Sequence, residues 1–124
     1  MRTLRIFLIF LFIPLLKACY YDVEEELYPE GEIPAGVNIS YSANVDPILD
    51  INCYSCHYPG NSAGGGFNFQ GYDALKKYLD VNATRFVCCI EHTGCRNMPE
   101  GGSKLSDRDI GYIKRWIDEG ALNN

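Results

Sequence analysis

The sequence contains no convincing β-strand run and no internal repeat. No strand–helix–strand pattern surrounds its Cys-x-x-Cys pair, which excludes a sheet-based thiol oxidoreductase and leaves a helical protein. Positive charge is scarce, with 11 Lys and Arg against 16 Asp and Glu. Such an acidic chain repels nucleic acid and anionic lipid headgroups, so no nucleic-acid partner is expected. The carboxylates Asp22, Glu24, Glu25, Glu26, Glu30 and Glu32 lie in a stretch without a packed cleft, so they offer no paired acid–base site. Methionine is rarer still: of the two present, one is Met1 and the other Met98. Nor is there an apolar run of the roughly 20 residues that a membrane-spanning helix needs.

The first apolar run, Ile6 to Leu16, follows Arg2 and Arg5 and ends in Leu16-Lys17-Ala18-Cys19. A positive start, a short apolar stretch and a small residue at the end are the layout of an export signal. Leu16 to Cys19 resembles the bacterial lipobox, which implies residues 1–18 as a lipoprotein signal peptide and Cys19 as the lipidated first residue of the mature chain. Loss of Arg2, Arg5 and Lys17 lowers the basic count from 11 to 8 against 16 acidic residues, a formal net charge of −8. Attachment to the membrane is then expected through acyl chains, with the protein facing the periplasm or the cell surface. Outside the cytoplasm, cysteines are oxidised, ligated or modified.

Residues 19–38 carry Cys19, the acidic run and several Pro and Gly without a sustained period, and are read as a flexible tether. Residues 39–124 read as one all-α domain. Val45, Ile48, Leu49 and Cys53 recur at helical steps, with Ser42 or Asn44 as the expected cap. Gly64-Gly65-Gly66 marks residues 61–71 as a loop. A second helix is expected over residues 72–79 and a short third over 83–91. In the last helix, Ser106-Asp107-Arg108-Asp109 is a variant capping box, Ile110, Ile113, Trp116 and Ile117 form the apolar stripe, and Gly120 supplies the stop.

Cys53-Tyr54-Ser55-Cys56-His57 is a C-x-x-C-H run, the haem c attachment signature. Positions i and i+3 lie on one face of a helical turn, so two thiols reach the two vinyl groups of one porphyrin. His57 then stands where it can bind the iron. Met98 lies in a Gly- and Pro-rich loop, Asn97 to Gly102, rather than in a helical stripe, and is the candidate second axial ligand. A His and Met pair raises the reduction potential and closes the iron to exogenous ligands, leaving electron transfer.

Cys-x-x-Cys-His, the later Met98-Pro99-x-Gly101-Gly102, and Leu105-Ser106-Asp107-x-Asp109-Ile110-x-x-Ile113-x-x-Trp116-Ile117-x-x-Gly120-Ala121 together resemble class I c-type cytochrome domains. The resemblance covers about Ile39 to Leu122. It implies helices around one covalently attached haem c, with the first and last helices crossing. It implies Cys53 and Cys56 as thioether sites, His57 as proximal ligand and Met98 as distal ligand. Trp116 and Ile117 are expected in the helix crossing or against the haem. The protein is then an electron carrier rather than an enzyme, a monomer whose partners are a reductase, an oxidase or a dehydrogenase.

Cys88, Cys89 and Cys95 fall outside that pattern. One disulfide, from Cys88 or Cys89 to Cys95, would clamp the Met98 loop and restrain the unfolded chain by ~2–3 kcal/mol. His92 competes with Met98 as distal ligand. Cys53, Cys56, His92 and Cys95 also have the spacing of a structural zinc site, the mark of a metal-stapled binding module. If Met98 does not bind iron, an open-site haem sensor or peroxidase is the remaining alternative.

Overall fold

A computed structural model describes residues 33–124 apart from Ala35. The expected signal peptide, Cys19 and most of the expected tether lie outside the described residues. Among the described residues all regular structure is helical. A π-helical turn over Tyr41–Val45 runs into α1 (Asp46–Asn52), followed by α2 (Tyr72–Glu91) and α3 (Asp107–Asp118).

The first helical segment starts earlier than its apolar pattern suggests. Its cap is Ser40, whose Oγ accepts from the Ala43 N–H, and not Ser42 or Asn44. Asn44 instead reaches back, its Oδ1 accepting from the Ser40 N–H at 2.9 Å. The Ser42 hydroxyl donates to the Asn124 main-chain oxygen at 2.9 Å. Asn124 also accepts from the Tyr41 N–H through its own Oδ1 at 2.8 Å. Two main-chain donors of the opening turn, at Tyr41 and Ser42, are thus satisfied by a residue more than eighty positions away.

The two helices expected over 72–79 and 83–91 are both present and join across a kink within α2. Asn82 alone departs from helical geometry, at φ −130° and ψ 17°, and its side-chain amide donates to the Tyr78 carbonyl at 3.2 Å. Apolar residues on both sides of the kink, Leu75 and Leu79 before it and Phe86 and Ile90 after it, are buried in the same core. That shared burial carries the helix through a position of weak local preference.

α3 follows its pattern closely. Ser106 Oγ accepts from the Asp109 N–H at 3.0 Å, and Asp107 and Asp109 place negative charge at the helix start. Gly120, at φ 101°, ends the segment. Ile110, Ile113 and Trp116 are buried, while Ile117 is half-buried against the same core.

Trp116 sits where α3 packs on the opening turn. It is 1 % exposed, lies 5.5 Å from the Tyr41 ring and 6.5 Å from the Tyr72 ring, and donates its indole N–H to the Leu122 carbonyl at 2.8 Å. Ile33 and Val37 also pack on this core, and the Arg115 guanidinium donates to the Pro34 carbonyl. The folded part therefore takes in residues ahead of the Ile39 boundary suggested by the helical pattern. Among the described residues no helix is long and apolar enough to cross a membrane.

Truncating Trp116 to Ala leaves a cavity at the crossing and an unpaired carbonyl at Leu122. Equilibrium unfolding of the protein should show a loss of about 3–5 kcal/mol; a change below 1 kcal/mol would mean that Trp116 does not organise the core.

Candidate cofactor site

The chain leaves α1 at Cys53, whose ψ stays helical at −42° while its φ falls to −125°. The Cys53 carbonyl then accepts two N–H groups, from Cys56 at 3.1 Å and from His57 at 2.9 Å. One tight turn brings Cys53, Cys56 and His57 together. Tyr54 fastens the turn to α1. Its hydroxyl donates to Asp46 Oδ1 at 2.5 Å, and the Tyr41 hydroxyl donates to the same oxygen at 2.9 Å. Burial, and then the Asp46 hydrogen bond, push the Tyr54 hydroxyl far above its usual pKa, so it remains a donor at neutral pH.

His57 is 8 % exposed. Its Nδ1 lies 3.3 Å from the Phe67 carbonyl, which only accepts, so the proton is assigned to Nδ1. Nε2 then keeps its lone pair and has no hydrogen-bond partner among the described residues. The Phe69 ring stacks on the imidazole at 4.3 Å and 23°, and the Phe69 N–H donates to the His57 carbonyl at 3.0 Å. Phe69 in turn meets Tyr78 at 4.9 Å and Phe86 at 5.6 Å, both on α2.

The loop between α1 and α2 folds back over this turn. Asn61 donates its side-chain amide to the Cys56 carbonyl at 2.9 Å. Gly64 approaches so closely that a Cβ there would stand 2.4 Å from the Cys56 oxygen and 2.8 Å from His57 Nδ1. The glycine run foretold a loop; the role of Gly64 depends on this contact and has no local signal. Phe67, which orients His57 through its carbonyl, was likewise not readable, because any residue supplies that group.

Cys53 and Cys56 are both free thiols, the first half-buried and the second exposed. Burial, and then the neighbouring Cys56, push the Cys53 thiol up to about 11. It is therefore a thiol at neutral pH. The expected zinc set is not assembled. Cys95 is bonded to Cys88, with a Cα–Cα distance of 5.6 Å, and Cys89 is free and half-buried. Among the described residues no three His, Cys, Asp or Glu side chains converge as a metal site.

Met98 is half-buried in the loop before α3. Its N–H donates to the Cys89 carbonyl at 3.1 Å, and its carbonyl lies 3.1 Å from His92 Nε2. His92 Nε2 is thus turned to a main-chain oxygen. Cys89 is three residues beyond Phe86 on α2, one helical turn, so α2 links the stack on His57 to the anchor of Met98.

Two grooves lie elsewhere. One, of about 370 Å³, runs between α2 and α3 and is crossed by the Lys114–Glu91 ion pair. The other, of about 560 Å³, flanks the kink at Asn82. Neither includes Cys53, Cys56, His57 or Met98.

No protein-family profile matches the chain, and no solved structure matches it. A curated relative does: the chain is similar to cytochrome c6 of Picosynechococcus sp., 32 % identical over 83 residues, which span 62 % of this chain and 71 % of that protein. The helical fold, the C-x-x-C-H turn and this similarity lead to one assignment: the chain belongs to the c-type cytochrome family.

Proposed function

We propose that the protein is a single-electron carrier with one haem c joined covalently to Cys53 and Cys56, ligated by His57 and Met98, and tethered to a membrane through a lipidated Cys19. The observation that carries this reading is the Cys53–His57 turn. It presents two unpaired thiols and a buried imidazole whose Nε2 is unengaged, while Cys88 and Cys95 of the same chain are paired. These residues fit haem c: two thiols for its vinyl groups, a neutral imidazole for one axial position and a thioether for the other. Close packing of Gly64 over the turn leaves His57 Nδ1 aimed at a carbonyl, which fixes the tautomer that ligation requires.

When bound, haem supplies the reversible one-electron couple. The chain's own residues do the rest. Phe67 and Phe69 hold the imidazole in one orientation, through the carbonyl on Nδ1 and the stacked ring. Tyr54, Tyr41 and Asp46 hold the turn against α1, so neither thiol has freedom to wander. Phe69, Tyr78 and Phe86 keep an apolar wall beside His57. Lipidation at Cys19 and the acidic tether would let the domain range along the membrane to a reductase, oxidase or dehydrogenase. With a net charge of −8 after signal removal, encounter with a basic partner surface should weaken as salt rises.

Replacing Met98 with Ala should leave covalent haem in place and open the iron to CO, read by absorption spectroscopy of the reduced protein, with a fall in reduction potential read by redox titration. An unchanged potential and no CO complex would rule out Met98 as ligand. Gly64→Ala should force the Cys56 carbonyl and His57 apart, lowering stability by about 1–3 kcal/mol and the yield of haem-bearing protein with it. A variant with parental haem content and melting temperature would show that the close approach at Gly64 is not required.

A further inference from the structure

Met98 is tied at both of its main-chain groups, and both ties come from the C-terminal end of α2. Its N–H donates to the Cys89 carbonyl, and its carbonyl accepts from His92 Nε2, each at 3.1 Å. His92 caps α2 in the left-handed conformation, φ 59° and ψ 39°, where glycine or asparagine is the usual residue. The histidine held there has its side chain in use, its ring N–H spanning from this cap to the Met98 carbonyl. The turn that carries it is closed twice more. The Cys88–Cys95 disulfide joins residues seven positions apart, and the Thr93 N–H donates to the Cys88 carbonyl at 3.1 Å. Residues 92–98 thus form a short strap with a covalent tie at its middle, Cys95, and two hydrogen bonds on its methionine.

We propose that His92 is a positioning residue. With the disulfide, it fixes the Met98 main chain so that only side-chain torsions remain to be ordered when the thioether binds the haem iron. The inference rests on the Met98 ligation proposed above and gives the second histidine of the chain, His92, a role other than ligation. Ordering the strap in advance lowers the entropy lost on ligation and so favours the bound thioether. His92 acts through Met98 and touches no haem atom in this account.

The haem-loaded full chain is compared with His92→Gly, His92→Gln and Met98→Ala. Glycine suits the left-handed backbone, so His92→Gly should keep the far-UV dichroism of the parent while removing the donor. Loss of one such hydrogen bond should speed CO binding to the reduced haem by about two- to tenfold, with a downward shift in potential. Glutamine carries an amide N–H and should recover part of both. His92→Asn, also tolerant of that backbone and shorter than histidine, repeats the removal should the glycine variant fail to mature. If the variants lacking the donor match the parent in CO rate and potential while Met98→Ala opens the iron, the positioning role is overturned and Met98 ligation stands. If Met98→Ala itself changes nothing, the ligand reading falls, and the role of His92 falls with it.

Discussion

The site hangs on the carbonyl of Cys53. By accepting the N–H groups of both Cys56 and His57, it turns the chain sharply at the end of α1 and sets two thiols and an imidazole on one small arc. A turn of so few residues has little stability of its own, and its surroundings supply the rest. Tyr54, inside the turn, is drawn toward α1 by Asp46, which also takes the Tyr41 hydroxyl. Gly64 and Asn61 close over the outside, and Phe69 stacks on the imidazole. Each contact restrains the same few backbone atoms, so the histidine has one orientation and one tautomer.

α2 is the strut between the two candidate ligands. Phe86 touches the Phe69 ring that covers His57, and Cys89, one turn further on, accepts the Met98 N–H. Both residues lie beyond the kink at Asn82, and burial of Leu79 before it and Phe86 after it packs the two halves into one core. The far end of α2 is tied down by the Cys88–Cys95 disulfide. Small domains often need such a staple, because they bury a modest fraction of their surface. Here the staple also lies in the same loop as Met98, the candidate second ligand.

Much of this was legible in the sequence, for physical reasons that differ from residue to residue. α3 was readable to its ends because cap, stripe and stop are local signals: Ser106 accepts from Asp109, Trp116 lies on the buried face, and Gly120 takes a positive φ. The C-x-x-C-H turn was readable because its spacing is its geometry. The cap of the first segment was not, since Ser40 and Ser42 are bonded to Asn124 and no local pattern reports so distant a partner. The choice of Cys88 over Cys89 was also hidden. It depends on α2 continuing to Glu91, which sets neighbouring side chains about 100° apart and leaves Cys88 as the one bonded to Cys95. The left-handed backbone of His92 and its reach to the Met98 carbonyl were hidden too, because both emerge only with the fold.

The central claim is that Cys53 and Cys56 carry a haem as thioethers. It is tested most directly on the chain matured with haem c assembly, then denatured and extracted with acid and organic solvent. The account predicts that colour stays with the polypeptide, that its mass exceeds the mature chain by one haem, and that neither Cys53 nor Cys56 can be alkylated while Cys89 can. A colourless polypeptide with Cys53 and Cys56 both alkylated, prepared beside a control cytochrome that matures normally, would contradict it.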